Sequence, residues 1–397
     1  MLNRRGAAAS PLPLAAALTN ADTARVSKSL ESLVFRARPF VPCDVTSSGS
    51  STYRSISVIF MKRILIVKVT SLGDIVETLP VVADLRRAFP SVKVDWAADA
   101  AFADIIRWNP GVDRVLSAPL RKFKKARNWN DLKDIAASIS ELRAEKYDVI
   151  VDIHGVYKSA IIAFIARGRR RFGYLNKDLG ERGAAFAYNA RFGPRPLTDA
   201  WRGMRVSVAE ALGYRFDETP DYNIQLPALA RDLNIPRGTR IAMLFHATSA
   251  DVKKWPKEHW GEVGRWLAAR GYTIALPWGT EREQGEAQAI AALVPGAIVL
   301  PKLSVVECAH WIRASELVVG ADTGLVHLAH ALQRRTVMLF AATSREHFGV
   351  NDPGRSVSVG EDGAPPEVPQ VLAAIESVTS GPSRAASPSS ESGATIR

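Results

Sequence analysis

Short apolar runs alternate with helical patterns, break off once and begin again, and this constrains the chain more than any other feature of it. RILIVKV (63–69) leads into a helix from about Asp74 to Phe89, followed by VKVDWAA, DRVLSA, a helix near 130–145 and DVIVDIHG. After a basic, irregular middle (167–205) and a helix near 203–213, the alternation restarts with RIAMLFHAT (240–248). It then runs through helices near 257–270, 281–293, 304–314 and 325–332, separated by YTIALPWG, AIVLP and LVVGADTG, and closes on TVMLFAAT. Short buried strands between helices require a parallel sheet covered on both faces, so the expected class is α/β, built twice.

The 397 residues, 47% of them apolar, suffice for two domains with real cores and exclude a chain disordered throughout. The joint is expected near 216–238, where Pro220, Pro227 and Pro236 interrupt regular structure. This gives a first domain over 61–225, a second over 236–362, and a last helix near 366–378 that packs on one half or the other. Residues 1–60 are rich in Ala, Ser and Arg and lack a sustained period. They read as an appended or mis-called leader rather than a signal peptide, because the PLPLAAAL run is brief and broken by Pro11 and Pro13. The tail, 381–397, is too polar and too rich in Ser to bury a core, and disorder is expected there.

Ligands of open α/β sheets bind where strands end, which directs attention to three loops. The first, Lys68-Val69-Thr70-Ser71-Leu72-Gly73-Asp74, holds one glycine. Neither the dinucleotide fingerprint nor the phosphate-gripping G-x-x-x-x-G-K-[ST] is present, so hydride transfer and nucleotide hydrolysis lose their strongest support. Asp74 has two readings, a first-turn acid that satisfies helix N–H groups or a general base held in a cleft. Lys68 is either a solvated lysine or a cation that steadies an anionic acceptor. The second loop places Thr248 and Ser249 beside Lys253 and Lys254, hydroxyls and point charges suited to a diphosphate, or else a polar lead into the next helix. In the third, Asp322-Thr323-Gly324 opens a helix with His327 on its first turn, a place where free N–H groups receive anions. Histidines are scattered, and neither H-E-x-x-H nor D-x-D occurs, so no metal is expected.

Lys plus Arg outnumber Asp plus Glu by 52 to 40, a net +12 that suits phosphates, an anionic membrane surface or nucleic acid. No zinc finger, RNA-binding sheet signature or basic zipper accompanies it, which disfavours nucleic acid. The run Arg121-Lys122-Phe123-Lys124-Lys125, then Lys158 and Arg182, are cations either solvated or turned to an acceptor, and Arg167–Arg171 precedes an expected strand. His154 reads equally as a packed core histidine or a contact.

In this order and spacing, KRILIVKVTSLGDIVETLP, HATSADVKKWPKEHW, LPWGTERE and GADTGLVHLAHAL resemble the lipopolysaccharide heptosyltransferases of glycosyltransferase family 9. The resemblance covers about Met61 to Val378, and the loop HATSADVKKWP looks most like that of the type I members, the type II members usually carrying a Pro-Gly-Ala style of loop there. It implies the GT-B architecture, two Rossmann-like domains facing across a cleft, the first binding acceptor and the second nucleotide sugar. It also implies inverting transfer of heptose from ADP-heptose to the inner Kdo of Kdo2-lipid A, without metal or cofactor. Asp74 matches the family's catalytic base, with Thr70, Ser71 and Gly73 lining the same loop. Thr248, Ser249 and Lys253 match diphosphate contacts, and Glu283 matches a ribose or sugar contact. Leu303 falls where the family often has Met beside adenine, and Asp322, Thr323, Gly324 and His327 match the heptose and phosphate loop. The basic run with Arg121, Lys122, Lys124 and Lys125, and less closely Lys158 and Arg182, would meet Kdo carboxylates and lipid A phosphates. A monomer, peripheral at the cytoplasmic face of the bacterial inner membrane, is expected. A type II or III heptosyltransferase or another nucleotide-sugar enzyme of the same architecture is the alternative.

Overall fold

The computed structural model of the protein describes residues 61–118, 129–196, 198–248 and 250–380. The leader and tail expected at 1–60 and 381–397 lie outside the described residues, as do Arg121, Lys122, Lys124, Lys125 and Ser249.

The first run of strands is β1 (Arg63–Val67), β2 (Lys93–Asp99), β3 (Arg114–Ala118), β4 (Lys146–Asp152), β5 (Arg167–Gly173) and β6 (Ala190–Arg191). They form one parallel sheet in the order β3-β2-β1-β4-β5-β6. Ile64 to Val67 are wholly buried, which explains why β1 is an unbroken apolar run: as a central parallel strand it is covered on both faces. The covering helices are α1 (Leu72–Ala88), α2 (Ala103–Arg107), α3 (Trp129–Ala144) and α4 (Tyr157–Ile165), with α5 (Ala200–Leu212) laid on α1. A fully buried bidentate pair, Arg205 Nε and Nη2 to Asp84 at 2.7 and 2.9 Å, joins α5 to α1. Arg205 also donates to the Asp217 carbonyl, so neither buried charge is left uncompensated.

The second sheet comprises β7 (Arg240–Phe245), β8 (Tyr272–Leu276), β9 (Ile298–Val299), β10 (Leu317–Ala321), β11 (Arg335–Phe340) and β12 (Ser356–Gly360). Its order, β12-β11-β10-β7-β8-β9, repeats that of the first sheet, and both follow the doubly wound Rossmann order. Its helices are α6 (Lys257–Ala268), α7 (Glu281–Ala291), α8 (Val305–Ala314), α9 (Gly324–Ala331), the single turn α10 (Arg345–Phe348) and α11 (Val368–Thr379). α11 packs against β11, β12 and α6, which settles the final helix on the second half. The proline-broken stretch between the sheets is tied to both: Gln225 donates to the Trp108 carbonyl at 2.8 Å, and the His310 ring meets the Pro227 carbonyl at 2.8 Å. One apolar core runs through both halves, including Ile64 and Leu79 of the first and Phe245 and Val326 of the second.

One expectation needs correction. Arg167 to Arg171 do not precede a strand; they form most of β5, paired to β4. Arginine stems can lie along an edge-side strand while their heads stay wet, and Arg170 stacks over Phe172 at 5.3 Å.

Candidate active site

In sheets wound this way the crevice opens between the two central strands whose helices leave to opposite sides. In the first sheet these are β1 and β4, in register with Val67 beside Asp152. The Lys68–Asp74 loop and the His154–Lys158 loop therefore emerge side by side. In the second sheet they are β10 and β7, with Gly320 beside Phe245, so the loops carrying Asp322 and Lys253 emerge together.

Ser71 caps α1, and Asp74, three residues on, reaches back to it: Oδ2 accepts from the Ser71 backbone N–H at 2.8 Å and its hydroxyl at 2.9 Å. This is the capping role that the residue type suggested. The other oxygen, Oδ1, meets Lys68 Nζ at 2.8 Å, and Lys68 is buried. Burial would raise the Asp74 pKa, but Lys68 and the Ser71 N–H outweigh it and lower it to about 2, so the carboxylate is ionised and still partly exposed. Gly73 is buried, and Thr70 is half-buried beside it. His154 sits on the neighbouring loop, its backbone N–H held by Asp152 at 3.0 Å. Burial, helped by Lys68, lowers its pKa to about 4 against the pull of Asp74, and its Nδ1 is buried without a hydrogen-bond partner. Lys158 and Arg195 act on the same ring. Lys158 is exposed on α4, and Arg182 is exposed where a short 3-10 turn crosses the start of that helix.

On the second sheet, Lys253 Nζ pairs with Asp322 Oδ2 at 2.8 Å, and the Thr343 hydroxyl donates to the same oxygen at 2.8 Å. His327 Nε2 lies 3.4 Å from Asp322 Oδ1. Burial opposes ionisation of Asp322, but His327 and Lys253 prevail and hold its pKa well below the usual carboxylate range. Thr323 is the N-cap of α9, and Thr248 donates its hydroxyl within its own loop, to the Ala250 carbonyl at 2.7 Å. Glu283 closes a capping box at the start of α7, its Oε2 accepting from the Gly279 and Thr280 N–H groups at 2.7 and 3.0 Å. Leu303 is half-buried ahead of α8. These loops follow β10, β7, β8 and β9, four neighbouring strands, so Asp322, Lys253, Glu283 and Leu303 stand in a row along one sheet edge.

The two edges face each other. A Cβ on Gly324 would lie 2.5 Å from Leu72 Cβ and 2.8 Å from the Gly73 nitrogen, and one on Gly73 would lie 3.0 Å from the His327 ring. The first turns of α1 and α9 thus abut, and glycine is what lets them.

Four residues here escaped the sequence reading. Glu77, one turn beyond Asp74, is buried with its Oε1 3.2 Å from His327 Nδ1. That nitrogen has no hydrogen-bond partner in line, so the contact becomes an ion pair only when the ring is protonated. Burial drives the Glu77 pKa up to about 7, against the pull of His327. Burial also opposes protonation of His327, yet Glu77 and Asp322 overcome it and raise its pKa. The expectation put His327 among donor contacts, whereas both of its ring nitrogens face protein carboxylates. Arg195, Thr343 and His347 are the other three, with Lys68 and Asp74 acting on the His347 ring from across the crevice. A polar residue closing each strand end, as in the AATS that follows β11, was the signal available for Thr343. Among the described residues, no group of three or more His, Cys, Asp or Glu side chains is placed to hold a metal ion.

Comparison with known proteins bears on the family and the fold. The model of glycosyltransferase family 9 (heptosyltransferase) matches residues 135–368. Lipopolysaccharide heptosyltransferase 1 of Escherichia coli (strain K12) is 35% identical over 285 residues, 71% of this chain and 88% of that protein. Among solved structures, E. coli heptosyltransferase WaaC with ADP matches with a TM-score of 0.70 at 31% identity, covering 79% of this chain and 99% of the other. WaaC with ADP-2-deoxy-2-fluoro heptose matches at 0.65 and 32%, covering 76% and 94%. The paired parallel sheets share the GT-B architecture of these structures.

Proposed function

Because this chain belongs to glycosyltransferase family 9, we propose that it moves heptose from ADP-heptose to the inner Kdo of Kdo2-lipid A, with inversion and without a divalent ion, in lipopolysaccharide core synthesis. The observation that carries this reading is the row of donor loops. Asp322, Lys253, Glu283 and Leu303 follow adjacent strands, three spacings or about 14 Å end to end. An extended nucleotide sugar fits along it, with sugar and diphosphate at the α9 end and base at the Leu303 end. The sugar end is also the end that meets Asp74. Similarity to WaaC, solved with ADP and with ADP-2-deoxy-2-fluoro heptose, supports the donor.

Displacement at an anomeric carbon needs a base for the incoming hydroxyl and charge compensation for the departing diphosphate. On this reading Asp74 accepts the acceptor proton. Held ionised by Lys68, it is a weak base, so proton transfer lags behind bond formation, when the attacking oxygen has become acidic. Lys253, Thr248, Ser249 and the free N–H groups opening α9 receive the diphosphate, each fixed donor being worth on the order of 10²–10³ in rate. Lys68, Lys158, Arg182 and the 121–125 run are the cations we assign to the acceptor's carboxylates and phosphates.

We further place the enzyme as a monomer bound peripherally to the cytoplasmic face of the inner membrane. Tyr157, Ile161 and Phe164 are exposed along one face of α4 beside Lys158, and Phe186 meets Phe164 at 5.6 Å. An apolar face flanked by cations suits an anionic bilayer, at about 1 kcal/mol per well-placed cation. No helix among the described residues is long and apolar enough to cross a membrane.

The test presents Kdo2-lipid A in anionic vesicles to the full chain with ADP-heptose and chelator. Mass analysis should show one added heptose per acceptor, no product from UDP- or GDP-sugars, and protein sedimenting with the vesicles. Product only from an acceptor already carrying heptose would favour a type II or III activity instead. Strict dependence on an added divalent ion would overturn the metal-free mechanism.

A further inference from the structure

We propose that Glu77 is a positioning residue for sugar transfer: through His327 it couples the helix that bears Asp74 to the loop that grips the departing diphosphate. The inference rests on the donor site proposed above, and it assigns a task to a buried acid that the mechanism leaves idle. His327 stands between two carboxylates from different halves of the molecule, Glu77 Oε1 at 3.2 Å and Asp322 Oδ1 at 3.4 Å, and is buried. Nε2 is hydrogen-bonded to Asp322, and a second carboxylate 3.2 Å from Nδ1 with no hydrogen bond between them favours the charged ring, because an imidazolium attracts both anions where a neutral ring would turn a lone pair to one of them. Burial works against that charge, and Glu77, when it is itself ionised, is the counterion from the facing domain that sustains it.

The consequence falls on Asp322. At rest its charge is met by Lys253, Thr343 and His327. A diphosphate entering this loop competes for the Lys253 ammonium and would leave Asp322 facing a second anion. With His327 charged, Asp322 keeps a cationic partner and the repulsion is quenched. Glu77 lies one turn beyond Asp74 on α1, so the same contact holds the base in register with the donor. The charged and titratable groups acting on the pair are Asp74 and Lys68 from the first sheet, Asp322 from the second with Lys253 bound to it, His330 on α9 itself and Tyr222 from the linker.

Glu77→Gln keeps the shape and removes the charge. The titration midpoint of His327, followed by imidazole NMR in the full chain, should fall by about one pH unit or more. A group whose pKa is raised in the folded state contributes below that pKa and is lost as pH rises through it. Accordingly, ADP affinity measured by calorimetry should start to weaken at lower pH in the variant than in the wild type, with a deficit of about tenfold between the two midpoints. Glu77→Asp, which restores the charge on a shorter stem, should recover most of the profile. If Glu77→Gln leaves the His327 midpoint in place, or if Gln and Asp weaken ADP equally at every pH, Glu77 is only a packing residue and the proposal fails. Absence of ADP binding by the wild type would sink the donor reading instead, while the NMR arm still tests the pair.

Discussion

The two sheets are wound in the same order and present corresponding loops to each other, yet those loops treat charge in opposite ways. At the first, Asp74 has one cation, Lys68, and its side chain is 30% exposed. At the second, Asp322 is surrounded by Lys253, Thr343 and His327 and its side chain is 13% exposed. A carboxylate that must touch an uncharged hydroxyl needs an open side. One that must remain while a dianion arrives needs partners in reserve. The same fold therefore yields an accessible base on one edge and a buffered anion cradle on the other, by changing a few side chains at equivalent strand ends.

The largest effect should come from Asp74→Asn, which breaks the comparison on its open side. Loss of a positioned base should lower kcat by about 10²–10⁴, while calorimetry finds ADP affinity unchanged. Equal losses in both would mean that the two loops do not divide the work. Next, Lys253→Ala should weaken ADP binding about tenfold, as expected for one charge-assisted contact, and unchanged affinity would remove it from the cradle. The smallest effect sharpens the contrast. Lys68→Met takes away the cation that keeps the Asp74 pKa near 2, so that pKa should rise. A depressed carboxylate is available above its pKa and lost as pH falls through it, so the acid limb of the kcat profile should move to higher pH. A limb that stays in place would show that Lys68 does not tune the base.

Much of this was legible in the letters because central parallel strands must be apolar throughout, as Ile64–Val67 and Leu317–Val319 are. The loops that follow them were equally readable, since polar residues and glycine punctuate the ends. β5 was not, because RGRRRFG has the composition of a solvated charge run and only its pairing to β4 makes it a strand. β12, SVSVG, alternates over only four residues, buries its serines rather than its valines, and has no long apolar run. At the site, Asp74 and Lys253 lay in recognisable turns. Glu77 lay inside a helix whose neighbours are all buried, and its partner is 250 residues away, on α9, a proximity that no local pattern encodes. Its detectable trace was an acid three residues after Asp74, on the same helical face.

The abutment of Gly324 on Leu72 has a mechanical consequence. Two helix ends pressed together leave no room for a side chain at position 324, so any larger residue there would have to wedge the two halves apart at their point of closest approach. The spacing between the loop of Asp74 and the loop of Asp322 is thus set by the absence of a side chain at one position, Gly324.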